Sequence, residues 1–455
     1  MTQNAPRHAG LSGRHVQFIA IGGAVGAGLF LGSGEGIVRA GPSLLLAYAA
    51  SGVMVYFIAR ALGELTLNDT RAGSFTRYAE EYIGPWCGFV TGWSYWLSWV
   101  LVGMAEITAA GTFMQFWWPH LPQWQSALGA LCVLYGTNRL GVRVFGELEF
   151  WLAIVKVTAI VALIVTGVVV ITVGLTVAGQ LPRLSNLWTH GGFFPTGSIG
   201  FLKVLPIAFF AFGGTELIGL TAREAEHPLK AVPRAINAVI GRILIFYIGS
   251  LTVVMALFPW DQIDARQSPF VLVFNKIGLT SAASLINFVV LTAVLSSCNS
   301  GLFATARVLT ALAAQGHAPR RLNVLDRNGL PIRSLTASAM AMLVGVLLNY
   351  LIPETVFSYL LTAATLLLMW SWMTITFCHL RYRRARMTEM RPPIFPLPLY
   401  PYSNVMILGF IAVIVLIMPT IQSMQIPAIV AMAWFIALVI IHAIISRRNP
   451  APQLR

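Results

Sequence analysis

Three ionisable residues lie near the middle of long apolar stretches of the sequence: Glu106, Lys156 and Glu216. A charge at bilayer depth costs at least about 2.5 kcal/mol, so such residues generally mark a binding site or a proton pathway. A buried lysine amine can exchange a proton, which makes Lys156 a candidate for proton coupling without a bound sodium ion. The alternative is a structural ion pair between Lys156 and either carboxylate. Glu106 fits a substrate contact or a structural partner, and Glu216 fits a substrate contact or a brace for a broken helix.

Glycine-rich segments interrupt two of the apolar stretches. The first runs from Ile21 to Phe30 and places four glycines within seven residues, each about 1 kcal/mol less favourable in a helix than alanine. The second runs from Phe210 to Glu216 and follows Pro206 by one turn. An unwound segment frees N–H groups that suit a carboxylate and C=O groups that suit an ammonium. One such site could hold both ends of an amino acid.

The two interruptions occupy matching places in the sequence, about 190 residues apart. Paired breaks in two halves of a membrane protein indicate a transport site between inverted repeats. The alternative is close helix packing, because small residues also line helix contacts in membranes. Gly22 and Gly26 form a GxxxG pair that fits this second interpretation.

The elements that must position these residues are membrane-spanning helices. Hydrophobic residues make up 57% of the 455 residues and charged residues 10%, against about 25% charged in soluble domains. Apolar runs of about 20 residues, the length that crosses a bilayer, recur along the chain. We expect twelve spans, at 16–38, 41–65, 86–116, 124–142, 149–174, 199–222, 235–258, 281–306, 334–352, 355–379, 404–420 and 426–446.

The connections are short, so the sequence predicts one polytopic membrane domain over residues 1–455. A cytoplasmic tail (1–15) precedes a first repeat (16–174) and a second repeat (199–380). Helices 11 and 12 (404–446) and a cytoplasmic tail (447–455) follow.

The distribution of basic residues explains the net charge of +14 without a nucleic-acid partner. With the N-terminus in the cytoplasm, 21 Lys and Arg residues fall in cytoplasmic segments and 5 in outer segments. This asymmetry predicts that both termini are cytoplasmic. The four cysteines are scattered and predict neither a disulfide framework nor a metal site. No motif for a membrane enzyme stands at a water boundary, so we expect no enzymatic activity.

Motifs along the whole chain resemble one family of transporters. The first-helix segment from Gly22 to Phe30 resembles the signature of amino acid permeases of the amino acid–polyamine–organocation superfamily, particularly the bacterial amino acid transporter family. Tyr95 to Glu106 and Ser296 to Gly301 are most similar to D-alanine/D-serine/glycine permeases. The other matching segments are 40–43, 60–64, 72–75, 144–151, 212–216, 224–228, 233–237 and 286–292.

The resemblance implies an all-α, leucine-transporter-like fold with twelve helices. Five plus five form an inverted repeat, two helices follow it, and helices 1 and 6 are broken. It also implies proton-coupled import of amino acids across the inner membrane. The proton gradient supplies the energy, no cofactor or metal is needed, and the monomer is the working unit within the lipid.

The resemblance also assigns roles to individual residues. The substrate carboxylate would bind the main chain at Gly26, Ala27 and Gly28. The amine would bind carbonyls around Ala24, Phe212 and Gly213. Phe210 stands at the position of an aromatic gate, and Lys156 matches a lysine that fills the sodium-site region in proton-coupled members. The remaining candidates for substrate binding are Glu106, Gly214 and Glu216.

One residue departs from the family pattern. Ala27 stands where relatives usually carry Thr or Ser, so a hydroxyl contact to the substrate carboxylate is missing. The first expectation for the substrate is a small neutral amino acid such as glycine, D-alanine or D-serine. Proline, histidine or aromatic amino acids, an exchange mode, and a membrane nutrient sensor are the alternatives.

Overall fold

The computed structural model describes residues 25–68, 75–177, 179–221, 227–264, 267–276, 280–327, 329–386 and 393–448. Within these ranges the chain is helical and contains no β-strand; one isolated β-bridge joins Val177 and Gln180. Both predicted repeats and the last two predicted helices contribute to this region. The predicted N-terminal tail and most of the C-terminal tail lie outside it.

The described residues of the first part of the chain form eight α-helices. They are α1 (Ala27–Phe30), α2 (Gly32–Ala40), α3 (Leu44–Asn68), α4 (Phe75–Tyr82), α5 (Pro85–Met114), α6 (Gln123–Arg139), α7 (Val142–Val173) and α8 (Asn186–Thr189).

The described residues of the second part form ten α-helices, and a π-helical segment, Ile243–Gly249, joins the third of them to the fourth. They are α9 (Gly197–Phe210), α10 (Leu217–Thr221), α11 (Pro228–Arg242), α12 (Ser250–Leu257), α13 (Pro269–Lys276), α14 (Thr280–Ala314), α15 (Ile332–Leu351), α16 (Val356–Arg386), α17 (Tyr402–Ile417) and α18 (Gln422–Arg448).

Nine helical segments of the described chain are long and apolar enough to cross a membrane, and α9 is a shorter apolar helix. The chain is therefore an all-helical, multi-span membrane protein. Its helices mostly coincide with the predicted spans and often extend beyond them. For example, α7 begins at Val142 rather than at the predicted residue 149, because charged residues in its first two turns broke the apolar pattern without ending the helix.

Burial separates central helices from peripheral ones. The most apolar stretch of α5 is 72% buried, whereas that of α18 is 11% buried. Side chains of α18 such as Ile429 and Met432 are exposed, as expected for a helix that faces lipid. The central helix α5 contacts α14, α15 and α16 along its length, and this arrangement places Glu106 in the interior of the protein.

Candidate functional site

The second predicted interruption is a real break in the helix. Helix α9 ends at Phe210, six residues form turns, and α10 begins at Leu217. Gly214 has a φ of 94°, a backbone conformation that side-chain-bearing residues rarely adopt. Pro206 lies one turn before the end of α9. Local sequence therefore explains why the helix breaks at this point.

The first predicted interruption is described from Val25 onward. Val25 and Gly26 are not helical, and α1 begins at Ala27 with Gly26 in an extended conformation as its N-cap. The predicted amine-binding carbonyl of Ala24 lies outside the described residues.

The two breaks meet at one buried cavity of about 30 Å³. Six predicted site residues line it, and six residues that the sequence analysis did not select complete it. The predicted residues are Gly26, Gly28, Glu106, Phe210, Gly213 and Gly214; the additional ones are Ser98, Trp99, Val102, Ala211, Ser297 and Leu368. The other predicted residues lie behind this cavity or outside the described chain.

The sequence contains a signal for two of the six cavity-lining residues that were not predicted. Ser98 and Val102 precede Glu106 by eight and four residues, so the three share one face of α5. The helical period could therefore have selected Ser98 and Val102 once Glu106 was chosen. Leu368 comes from α16 and has no comparable signal, because only the tertiary packing brings it to the cavity.

Glu106 joins α5 to the first residue of α1. Its carboxylate accepts the Ala27 N–H at 3.0 and 3.2 Å and the Ser297 hydroxyl at 2.8 Å. Gly26 makes this contact possible, since a Cβ at that position would lie 2.3 Å from Oε1 of Glu106. Glu106 thus lines the cavity and also accepts the hydrogen bond of the Ala27 N–H, the group that was predicted to bind the substrate carboxylate.

Lys156 lies behind the first break. Its Nζ donates to the Val25 carbonyl at 3.2 Å and to the Ser296 hydroxyl at 3.0 Å. The Ser296 hydroxyl in turn donates to Oε1 of Glu149 at 2.6 Å. These bonds therefore link Lys156 to Glu149 through Ser296, rather than to Glu106 or Glu216, the two partners considered from the sequence.

Glu216 braces the second break. Its carboxylate accepts the Gly214 N–H at 3.2 and 3.3 Å, the Tyr95 hydroxyl at 3.2 Å and the Trp372 indole N–H at 3.2 Å. Its side chain is buried and does not line the cavity. The contacts match the bracing interpretation, because they tie the turn between α9 and α10 to α5 and α16.

Two side-chain hydroxyl groups donate hydrogen bonds to backbone carbonyls at the second break. The Tyr247 hydroxyl donates to the Ala211 carbonyl at 2.6 Å, and the Thr215 hydroxyl donates to the Phe212 carbonyl at 2.7 Å. The Phe212 ring packs against Tyr48 and Tyr247 and lies outside the cavity. Of the two described carbonyl positions predicted for an amine, Gly213 lines the cavity and Phe212 does not.

Phe210 forms one wall of the cavity. An added Cβ at Gly28 would lie 3.2 Å from Cδ1 of Phe210 and 3.1 Å from Cα of Ala211, so α1 packs tightly against the end of α9. Phe210 also packs in a cluster with Leu361 and Phe357. Phe357 lines a second, larger cavity of about 1350 Å³. The Phe210 cluster therefore contributes to the walls of both cavities.

The fold and the cavity define a multi-span membrane protein with an interior pocket where the start of α1 meets the turn between α9 and α10. Residues 15–454 match the family model described as amino acid permease, and the chain belongs to this family. Its relatives are named as permeases and transporters, not as enzymes.

Relatives cover nearly the whole chain. The amino-acid permease AapA of Bacillus subtilis strain 168 is 46% identical over 440 residues, which cover 97% of this chain and 95% of AapA. The uncharacterized amino acid permease YtnA of the same organism is 45% identical over 441 residues, covering 97% and 95%. The aromatic amino acid transport protein AroP of Escherichia coli strain K12 is 44% identical over 429 residues, covering 94% and 93%.

Proposed function

We propose that this amino acid permease is a proton-coupled symporter that imports a small neutral amino acid by alternating access. The observation that carries the proposal is the cavity between the two breaks. Gly26 and Gly28 of the first break and Gly213 and Gly214 of the second line it together with Glu106. This arrangement brings backbone polar groups and one carboxylate to a single buried space, which suits a zwitterion.

The substrate would bind with its two charged ends at different sides of the cavity. The ammonium would pair with Glu106 and the carbonyl at Gly213, since Glu106 is the acidic residue that lines the cavity. The carboxylate would bind the main chain near Gly28, at the start of α1, where the helix dipole favours an anion. Because Glu106 already accepts the Ala27 N–H, that group would bind the substrate only after Glu106 moves.

The proposal includes the complete topology expected from the sequence. Twelve helices would comprise a five-plus-five inverted repeat and two further helices, with both termini on the cytoplasmic side of the inner membrane. The Phe210 cluster would then be the barrier between the binding cavity and the larger outer cavity. Rocking of the broken helices against their partners would open one side and close the other, in a monomer surrounded by lipid.

Lys156 would couple transport to protons. Its ammonium holds the Val25 carbonyl beside the first break, so a change in its charge would change the hydrogen bonding of the segment that binds substrate. A second ligand that binds one conformation better than another shifts the equilibrium between them. Protonation of Lys156 would act as this ligand, with no metal ion or other cofactor required.

The size of the cavity favours a small substrate. A volume of about 30 Å³ holds a water molecule or two rather than an aromatic ring. Glycine, D-alanine and D-serine are therefore the leading candidates. The 44% identity to AroP supports a second candidate, an aromatic amino acid, whose ring would require Phe210 or Leu368 to move. Proline or histidine, or an exchange mode, would use the same site, and a nutrient-sensing role is the most distant alternative.

Uptake of labelled glycine into proteoliposomes, with and without an imposed inward proton gradient, tests the proposal. Unlabelled D-alanine, D-serine, L-proline, L-histidine and L-phenylalanine serve as competitors. We expect gradient-driven uptake that the small amino acids block. Transport of a larger competitor without glycine uptake would overturn the substrate but keep the mechanism. Glycine uptake that requires an amino acid inside the liposomes would identify an exchanger. Absence of all transport by folded protein would favour a sensor.

A further inference from the structure

A buried carboxylate that the sequence analysis did not select lies next to Lys156 in the hydrogen-bonded network. Glu149 is on α7, seven residues before Lys156, so the two side chains share one face of the helix. Glu149, Lys156 and Ser296 are each fully buried. Buried charged groups within a membrane-spanning region are energetically costly, so a pair joined through one hydroxyl indicates a functional role.

The hydrogen bonds in this network all point in one direction. Lys156 Nζ donates to Ser296 Oγ at 3.0 Å, and Ser296 Oγ donates to Oε1 of Glu149 at 2.6 Å. A serine hydroxyl has one proton to donate, so donation to Glu149 leaves its oxygen free to accept from Lys156. This order, from ammonium through hydroxyl to carboxylate, is the order in which a proton can be passed.

We propose that Glu149 is the proton acceptor that discharges Lys156 through the Ser296 hydroxyl during transport. This inference rests on the proton coupling proposed above and adds the residue that receives the proton. One N–H bond of the Lys156 ammonium breaks as a new O–H bond forms on Ser296. At the same time the original Ser296 O–H bond breaks and an O–H bond forms on Glu149. The products are a neutral amine and a neutral carboxylic acid, with no oxidation or reduction.

A polar route continues from Glu149 towards one membrane surface. Asn299 and Ser300 of α14 lie beside its carboxylate, and the Asn138 amide donates to Oδ1 of Asn299 at 2.7 Å. Asn138 is in the last turn of α6, next to the exposed Arg139. Under the proposed orientation this end of α6 is cytoplasmic.

The position of Glu149 along α7 fits the same direction. It is seven residues from the start of the helix, roughly 10 Å, whereas Lys156 is roughly 21 Å from that end. Glu149 thus lies between Lys156 and the proposed cytoplasmic surface. The remaining nearby carboxylate, Glu106, interacts electrostatically with Lys156 but faces the substrate cavity. The two acids therefore stand on different sides of the lysine, one towards the substrate and one towards the route out.

The test compares proton movement with exchange in proteoliposomes. Glu149→Gln keeps the shape and an acceptor oxygen but cannot take a proton, and Ser296→Ala breaks the path without removing a charge. Glu147→Gln removes a carboxylate from the same helix and is the matched control. Trapped pyranine reports proton entry during substrate uptake, counterflow of labelled substrate reports exchange without a gradient, and size-exclusion chromatography confirms folding.

Under a gradient of about one pH unit, one proton per substrate supports about tenfold accumulation. We expect the wild type and Glu147→Gln to approach that value. Glu149→Gln and Ser296→Ala should reach an accumulation ratio of about one and admit no protons, while counterflow continues. Full accumulation by Glu149→Gln would overturn the inference. If both variants are folded but lose counterflow and accumulation together, the inference also fails, because that result indicates a purely structural pair. A wild type that accumulates substrate without moving protons would instead overturn the coupling itself.

Discussion

The carboxylate of Glu106 accepts the backbone N–H of Ala27 at 3.0 and 3.2 Å, which places an internal acid at the start of α1. A substrate carboxylate needs the same kind of donor. Under the proposed binding mode, Glu106 would therefore take the place of the substrate anion in the absence of substrate and offer its own charge to the substrate ammonium. Binding would reorganise this contact, and that reorganisation would link the presence of substrate to the position of α1.

Replacing the charge of Glu106 should weaken substrate binding without removing the cavity. Glu106→Gln retains an oxygen that can accept the Ala27 N–H but loses the ion pair proposed for the substrate ammonium. Hydrogen bonds to charged groups contribute about 1.5–3 kcal/mol, so we expect the Kd for glycine to rise by about tenfold to a hundredfold. Isothermal titration of detergent-solubilised protein measures this change. The control is Glu354→Gln, at an exposed residue that lines the larger cavity. An unchanged Kd for Glu106→Gln would mean that the Glu106 carboxylate has a structural role only.

Graded substitutions of glycine should test the contact between α1 and its neighbours. A Cβ at Gly26 would lie 2.3 Å from Oε1 of Glu106, whereas the nearest atom to a Cβ at Gly28 is 3.1 Å away, in Ala211. We expect Gly26→Ala to abolish uptake, Gly28→Ala to reduce it, and Gly28→Val to abolish it by displacing Phe210.

The exposed Gly129 on α6 provides the control for this series, since an added Cβ there meets no atom within 4 Å. Gly129→Ala should leave uptake unchanged, because it adds only a favourable helix residue. Initial rates of glycine uptake, normalised to inserted protein, give the comparison. Equal uptake by Gly26→Ala and Gly129→Ala would show that the position of Glu106 does not matter for transport.

Local sequence was sufficient to predict the break between α9 and α10 and the central charges. Gly213 and Gly214 after a proline weaken α9 wherever the helix lies, and a charged residue within an apolar run, such as Lys156, signals burial by itself. These features do not depend on which helices become neighbours. The inverted repeat and the full number of helices stay predictions, because they concern the arrangement of the whole chain.

Tertiary packing decided the features that the sequence did not reveal. Glu149 is the first residue of the predicted span 149–174, and a charge at the edge of an apolar run gives no sign of burial, although its side chain is buried against Ser296. Glu64 stands near the end of the predicted span 41–65, a place that suits either a solvated or an interhelical charge. It is in fact buried, and its carboxylate lies 2.6 Å from Nε of Arg383 on α16. Each of these partners comes from a helix distant in sequence.

Neutralising Glu216 should destabilise the protein. Its carboxylate faces three donors, from Gly214, Tyr95 and Trp372. In Glu216→Gln an NH2 group must face one of them, which leaves a buried donor unsatisfied at about 1–3 kcal/mol. We expect a lower Tm in detergent and slower uptake. Tyr95→Phe removes one donor and leaves the carboxylate intact, so its Tm should fall less; an equal or larger fall would contradict the bracing role.

The pairing of Lys156 with Glu149 predicts a non-additive effect on stability. Lys156→Met leaves the Val25 carbonyl without its Nζ donor and the Glu149 charge without its counter-ion. Removing one partner of a buried pair typically costs about 3–5 kcal/mol, whereas replacing both charges is much less costly. We therefore expect Lys156→Met to lower the Tm markedly, and Lys156→Met combined with Glu149→Gln to recover part of that loss.

A thermal-shift series of the two single variants, the double variant and wild type gives the coupling directly. Lys230→Met, at an exposed residue of α11, controls for the loss of one positive charge from the protein. The double variant should nevertheless fail to accumulate substrate under a proton gradient, because neither group is then available to carry the proton. Additive losses in Tm would mean that the two charges do not stabilise each other. The hydrogen bonds through Ser296 would then be a packing contact rather than an electrostatic link between substrate binding and the proton.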